Sequence, residues 1–476
     1  MAPAAFTRRN GFAKIPDMGI PSLEETIVAV STPPGAGGIG VVRLSGDRSL
    51  EIVRTFFRPR RALRKIPARR AVFGLLREPD SGAPFDEAIL TYFQGPASYT
   101  GEDVVEVSCH GSPAVLEAVV RLAVRQGARL AHPGEFTRRA FLRGRIDILQ
   151  AEAVNDLVRA ESFETARLAF RTVEGRLSRR VAGLRDGAVR IIAGLEAAIE
   201  FPDEDLSLDR ERLAAEMEET SAVLEKLIES YEAGRAMARG ANLAILGRRN
   251  VGKSTLFNAL LGEPRAIVTP RPGTTRDYLR EKIKIGEASF HLIDTAGIGL
   301  SGSEVEREGM RRGRKLASQA DGILFVIDGS KGDPARDAAL AERYRDKKII
   351  FVVNKIDKIG RRPRSLPADR FSGRPSLEVS ALKGTNIERL RHLIHEMFAP
   401  KSGPDEEVIF HLRDKVLLEE ALAGLRRAKR MLENGHSEEV VAEEIRVMLG
   451  AVGRLTGEIR TDEVMDRIFS RFCVGK

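Results

Sequence analysis

Four short stretches carry residue types and spacings suited to one chemistry, the binding and cleavage of a nucleoside triphosphate. Gly247-Arg248-Arg249-Asn250-Val251-Gly252-Lys253-Ser254 spells G-x-x-x-x-G-K-S between an apolar run, Asn242 to Leu246, and a helix-forming run from Thr255 to Leu261 stopped by Gly262. Its glycines let backbone N–H groups wrap phosphates, the helix N-terminus adds partial positive charge, Lys253 reaches the terminal phosphates and Ser254 can hold magnesium. Asn354-Lys355-Ile356-Asp357 follows the apolar run Ile349 to Val353 and names the base. The Asp357 carboxylate can accept from the ring N–H and exocyclic amine of guanine, which adenine does not present together, so ATP would leave it unpaired. Ser380-Ala381-Leu382 fits a loop that backs the base, and Asp294-Thr295-Ala296-Gly297 ends another apolar run, where an aspartate can act on magnesium and a glycine N–H can meet the γ-phosphate. Two residues qualify how hydrolysis would run. Ile298 stands where many GTPases carry a glutamine that orients water, so another group must do that work. No arginine can be fixed as a finger in cis: Arg276, in Thr274-Thr275-Arg276-Asp277, is near the switch, with a surface ion pair as its alternative reading.

Alternating strands and helices from Ala241 to Phe398, closed by Pro400 to Pro404, supply the framework these loops need, a mostly parallel sheet built from βαβ units. Upstream, apolar segments at Thr26 to Val30, Ile39 to Leu44, Ala88 to Phe93 and Val104 to Val107, with helical patterning at Pro113 to Arg125, predict an α+β domain. After Asp147 the period changes: Val173, Leu177, Val181, Leu184, Ala188, Ile191 and Leu195 place one stripe on a long helix ended by Phe201-Pro202-Asp203. A second stripe runs from Leu213 to Tyr231 and closes near Gly234 and Gly240, and amphipathic helix returns at Leu412 to Leu432 and Val440 to Val452. Neither helical flank alone buries a bundle, so the expectation is one all-α domain with the α/β P-loop GTPase domain inserted into it. The boundaries read as a disordered or non-native extension over 1–22, an α+β domain over 23–145, helical segments over 146–240 and 401–476, and a Ras-like G domain over 241–400.

The 476 residues suffice for about three domains. Lys and Arg number 77 against 68 Asp and Glu, a formal charge of +9 that favours contact with an anionic polymer. The stretch Arg58 to Arg70 holds seven basic residues and reads as a solvated loop. Cys109 and Cys473 have no paired spacing, which supports neither a disulfide framework nor a zinc site. No apolar run reaches eighteen residues and no secretory pattern opens the chain, so the expected location is cytoplasmic, with no membrane. The histidines, His392 and His395 included, form no metal pattern.

With Asn250 in the phosphate loop and a long first switch over Thr269 to Asp277, the G domain resembles the potassium-dependent GTPases that include MnmE, Era and Der. Beyond it, Thr32-Pro33-Pro34-Gly35, Ser98 to Asp103, His110-Gly111, Pro133 to Thr137, Phe201 to Glu204 and the end Cys473-Val474-Gly475-Lys476 resemble the MnmE (TrmE) family of tRNA modification GTPases. That resemblance implies potassium contacts from Asn250, Thr269, Arg271 and Thr274, the cation replacing an arginine finger. It implies magnesium on Ser254 and Thr275, GTP contacts from Thr269, Thr274 and Thr275, and water activation by Glu306. It also implies a folate-binding, dimerising N-terminal domain with Arg43, Glu106, Arg145 and Lys476 as contacts for 5-formyl- or methylene-tetrahydrofolate; position 145 is usually lysine in the family. The implied activity is potassium-dependent GTP hydrolysis in 5-carboxymethylaminomethyl-type modification of the wobble uridine of certain tRNAs. The implied assembly is a homodimer in a heterotetramer with the flavoprotein MnmG (GidA), which carries FAD. Cys473 is the family's candidate thiol, burial as an inert hydrophobe being the alternative, and Cys109 reads as core. Gly299 stands where many members have arginine. A ribosome-assembly GTPase that binds rRNA is a competing class, normally built with a KH or tandem G domain instead of these ends; a scaffold holding GTP is a third.

Overall fold

The computed structural model describes residues 24–160, 162–200, 209–248, 250–262, 279–286, 288–294, 320–330, 334–358, 373–399, 407–459 and 461–475. They form two compact units: the chain up to Ala151 together with the segment from 460 onward, and Glu152–Ile459.

In the first unit β1 (Ile27–Val30), β2 (Gly37–Ser45), α1 (Ser49–Phe56), β3 (Phe57–Pro59), β4 (Ala71–Arg77), β5 (Pro84–Phe93), β6 (Val104–Gly111), α2 (Pro113–Arg125), β7 (Arg129–Leu130), α3 (Glu135–Leu142) and the start of α4 (Ile148–Arg159) follow in order. The seven strands make one sheet, β3-β4-β5-β6-β2-β1-β7, antiparallel except for β1 beside β7. Alternate strand residues Val42, Leu44, Val105 and Val107 meet Ile52, Val53, Leu116 and Val119 of α1 and α2 in one buried core, the period-2 pattern of a sheet covered on one face. Helix Asp462–Phe469 packs Met465, Ile468 and Phe469 on Phe141 and Ile148. The chain end therefore folds with the first unit, whereas the sequence pattern grouped it with the helical segment from 401; a short amphipathic helix buries its stripe against whichever surface offers a complement, which its period does not name.

The second unit contains α5 (Phe163–Val173), α6 (Arg176–Glu200) and α7 (Arg210–Arg239), then β8 (Ala241–Leu246), α8 (Lys253–Leu261), β9 (Leu279–Ile285), β10 (Ala288–Asp294), β11 (Gly322–Asp328), α9 (Pro334–Ala341), β12 (Ile349–Asn354), β13 (Ser376–Glu378), α10 (Ile387–Phe398), α11 (Leu412–Glu433) and α12 (Glu438–Thr456). The sheet order is β13-β12-β11-β8-β10-β9, parallel except for β9. β11 and β12 are apolar up to their last residues, Asp328 and Asn354, because both faces are covered. The helical flanks close across the insertion: Arg210 reaches Glu438 at 2.6 Å, Arg426 reaches Glu225 at 2.6 Å and Arg446 reaches Glu196 at 3.0 Å. The expected insertion of an α/β domain into an all-α one is the architecture found. The apolar stripe read as one helix from Val173 is broken, since α5 ends there and Gly175 adopts φ +78 before α6 begins. Gly234, read as a stop, lies inside α7, which ends at Gly240. Among the described residues no helix is long and apolar enough to cross a membrane.

A cluster of charges ties α4 to the start of α11. His411 Nε2 lies 2.9 Å from Asp156 Oδ2, and Arg413 lies 3.0 Å from both Glu152 and Asp414. Burial alone would lower the His411 pKa, but the Asp156 hydrogen bond and the nearby carboxylates of Glu152 and Asp414 outweigh it and raise it to about 9. Burial, reinforced by Asp414, pushes Glu152 up to about 7. Both groups hold protons more tightly when folded than their ordinary values of 6.5 and 4.5. Their contributions are therefore complete below those values and vanish as pH rises through about 7 for Glu152 and about 9 for His411. Urea titration of the helical unit is expected to lose up to about 3 kcal/mol between pH 6.5 and 9, and His411→Gln to flatten that dependence.

Candidate functional site

β8 feeds a loop whose backbone turns at Gly247 (φ +143), Asn250 (φ +62) and Gly252 (φ +96) before α8 starts at Lys253. A Cβ on Gly252 would overlap the side-chain amide of Asn354, and its left-handed φ already disfavours other residues. Lys253 Nζ donates to the carbonyls of Gly247 (3.1 Å) and Arg248 (2.8 Å), which folds the ammonium over the loop. Val251 is buried in the core, while Ser254 and Thr255 are exposed on the first turn of α8.

Asn354 ends β12 opposite Asp328 of β11. Its Nδ2 donates to the Val251 carbonyl at 3.0 Å and its Oδ1 accepts from the Ala381 amide at 2.9 Å, both buried. Lys355, at φ +69, donates to Asp328 Oδ2 at 2.6 Å and to the Asn250 carbonyl. Burial pulls Asp328 upward, but the Lys355 and Ser330 hydrogen bonds outweigh it and keep its carboxyl below the usual range. Asp357 accepts from Ser380 Oγ at 2.6 Å, and that hydrogen bond holds its carboxyl low, the ionised form that recognition of two N–H groups requires. Leu382 is exposed on the same turn. The backbone of Asp294 pairs with Ile245 at the end of β10, beside the strand that enters the phosphate loop. Thr269, Arg271, Thr274, Thr275, Thr295, Ala296, Gly297 and Glu306 lie outside the described residues, as do Arg276, Ile298 and Gly299.

A second constellation lies in the first unit. β2 and β6 set Arg43 opposite Glu106, and the guanidinium meets the carboxylate at 2.7 and 2.9 Å. The rings of Tyr99 and Phe136 flank Arg43 at 6.0 and 5.7 Å. The chain end arrives at the same place: the Gly475 carbonyl accepts from Ser31 Oγ at 3.1 Å and Arg43 Nη1 at 3.5 Å. Gly475 has φ +97, and a Cβ there would strike the Val30 carbonyl. Lys476 is outside the described residues, one position beyond this anchor. Arg145 is exposed on the loop after α3, beside Gly101. Cys473 is exposed, which removes its reading as a buried hydrophobe, and its carbonyl accepts from the Gly134 amide. Cys109 is core as expected, its thiol pushed up to about 11 by burial. Sequence reading missed the buried network beneath these groups. Arg139 bridges Glu102 and Glu135 at 3.0 Å each, Arg143 adds a bond to Glu102 at 2.8 Å and Arg129 one to Glu135 at 2.6 Å. The i, i+4 spacing of Glu135 and Arg139 was the one local signal of it.

A lysine-bearing phosphate loop at the C-terminal end of the central strand β8, and an asparagine-lysine-aspartate turn at the end of β12, define a P-loop GTPase domain. The family described as the MnmE helical domain matches residues 148–473, and that described as the GTP-binding protein TrmE N-terminus matches residues 26–145. The tRNA modification GTPase MnmE of Aquifex aeolicus is 40% identical over 456 residues, 95% of this chain and 100% of that protein. Its counterpart in Koribacter versatilis is 41% identical over 462 residues, 96% and 100%, and that in Acetivibrio thermocellus 37% over 460, 95% and 99%. The chain belongs to the MnmE (TrmE) family of tRNA modification GTPases, and it is a GTP hydrolase.

Gly252→Ala forces a side chain into the Asn354 amide at a left-handed φ. Strain of about 1–3 kcal/mol is expected to weaken GDP and GTP binding roughly 5- to 150-fold, measured with a fluorescent guanine nucleotide.

Proposed function

We propose that this chain hydrolyses GTP in a potassium-dependent cycle and acts with MnmG (GidA) in 5-carboxymethylaminomethyl-type modification of the wobble uridine of tRNA, using a tetrahydrofolate one-carbon unit. The observation that carries this reading is the meeting of Arg43, Glu106 and the Gly475 tail at one place in the first unit, since a GTPase without a second ligand has no need of it. The donor set fits a folate: Glu106 can accept from the N–H edge of a pterin, Arg43, Arg145 and Lys476 offer cations to its glutamate tail, and Tyr99 and Phe136 supply aromatic faces. When bound, 5-formyl- or methylene-tetrahydrofolate supplies the one-carbon unit, and FAD on MnmG supplies the redox chemistry.

In the G domain, Asp357 and the turn of Ser380, Ala381 and Leu382 hold guanine, Lys253 and the loop amides hold the phosphates, and Glu306 acts on the attacking water. Ser254 and Thr275 would hold magnesium, and Asn250, Thr269, Arg271 and Thr274 potassium, ions that neutralise charge on the transferred phosphoryl group. The exposed Asn250, held at a left-handed turn of the phosphate loop, suits a side-chain ligand to such a cation. The proposed assembly is a cytoplasmic homodimer joined through its N-terminal domains, in which pairing of two G domains drives the conformational cycle.

GTP turnover in matched sodium and potassium buffers is expected to rise strongly with potassium, and Asn250→Ala to forfeit about 10³-fold or more of that rate; equal rates in both salts would remove potassium from the mechanism. Calorimetric titration with 5-formyltetrahydrofolate is expected to show binding that Glu106→Gln weakens about 10- to 150-fold, as befits a charged hydrogen bond, with GTP turnover unchanged.

A further inference from the structure

We propose that the α5–α6 hairpin is a tRNA-binding surface, taking backbone phosphates in an arginine-lined basin and unpaired bases on the exposed phenylalanines of α5. This inference rests on the reading of tRNA as the substrate and locates where the chain grips it.

The solvent face of α5 carries Phe163, Arg167 and Phe170 at i, i+4 and i+7. Phe163 is 77% exposed and Phe170 50%, whereas Leu168 and Ala169 on the opposite face are buried. Single exposed apolar residues are ordinary, but two phenylalanine rings about 10 Å apart along one helix face, with an arginine between, form a stacking platform. The turn at Gly175 then brings the arginines of both helices to one end of the hairpin. Arg171 and Arg176 line a narrow cavity with Glu407, and Arg176, Arg179, Arg180 and Glu407 line an adjoining open basin of about 520 Å³. Arg171 Nη1 is buried without a hydrogen-bond partner among the described residues, a donor that an incoming phosphate oxygen would satisfy. Among the described residues, opposing charge comes from Glu407 in the lining and from Glu174, whose carboxylate lies 3.9 Å from Arg176 and whose carbonyl accepts from Arg179; Arg167 is paired with Glu164 at 2.5 Å. Among the described residues four guanidinium groups stand against two carboxylates, a surplus of positive charge that a polyanion fits better than an acid-poor protein face.

The aromatic component selects the kind of polyanion. A duplex read through its backbone has no use for exposed rings, whereas loops with unstacked bases are bound by aromatic faces flanked by cations. A tRNA offers both elements, and one with a modifiable wobble base must present its loop.

The test is binding of an unmodified tRNA transcript to the full-length chain, by fluorescence anisotropy, at several salt concentrations between about 50 and 200 mM. R176Q/R179Q/R180Q is expected to bind more than about tenfold more weakly at low salt and to lower the slope of log affinity against log salt by about 2. F163A/F170A is expected to weaken binding at least about fivefold with the slope preserved, because stacking releases no counterions. Both variants should keep wild-type GTP turnover, which reports an intact fold. Wild-type affinity and slope in both variants would overturn the assignment while leaving tRNA as the substrate. Absence of tRNA binding by the unmodified chain would overturn both readings. If F163A/F170A kept its tRNA affinity but lost association with MnmG, the face would serve a protein and the proposal would fail.

Discussion

The nucleotide site depends on one buried side chain. Asn354 places its amide between the Val251 carbonyl of the phosphate loop and the Ala381 amide of the base-side turn, so two loops about a hundred residues and more apart in sequence are set by the same group. Buried polar partners left without a mate cost about 1–3 kcal/mol each, which makes the arrangement close to all-or-none. The adjacent residues inherit their positions from it: Lys355 spans Asp328 and Asn250, and Asp357 is oriented by Ser380. Gly252 must lack a Cβ because Asn354 occupies that space. Recognition of the base and the shape of the phosphate cradle are thus one mechanical problem.

The first unit solves a comparable problem with charge. Arg139 is fully buried between Glu102 and Glu135, and Ser45, Arg143 and Arg129 complete the hydrogen bonding of those carboxylates. Buried ion pairs contribute little net stability unless their remaining donors and acceptors are satisfied; here the carboxylates are satisfied from three separate stretches of chain, while Arg139 Nε finds no partner among the described residues. The consequence is orientation: α3 is locked to the loop from Ser98 to Asp103, which carries Tyr99 to Arg43, and Gly134 at the start of α3 receives the tail through the Cys473 carbonyl. A terminal segment remote in sequence is thereby held at the β2–β6 pair.

The G-domain motifs were legible because they are local. A strand, a glycine loop and a helix N-terminus lie within about twenty residues, and each residue type answers a need that backbone geometry imposes. Helix Pro113–Arg125 and the insertion of the α/β domain were legible from periodicity, and the family ends from their order along the chain. Strand β4 was not anticipated, since its exposed Phe73 and interior Gly74 blur the alternation. The break at Gly175 was hidden because the apolar stripe continues in step from α5 into α6.

By itself the sequence determined the chemistry of the nucleotide, the layered G domain and the existence of two helical flanks, because hydrogen-bonding capacity, turn preference and hydrophobic period are properties of neighbouring residues. Only the tertiary structure decided that the chain end joins the first unit, that Cys473 is exposed, and that Arg139 is a core residue. It also decided that the arginines on either side of Gly175 line two adjoining cavities. Each of these turns on which surfaces meet across long separations, and burial and pairing energies depend on that meeting rather than on residue type.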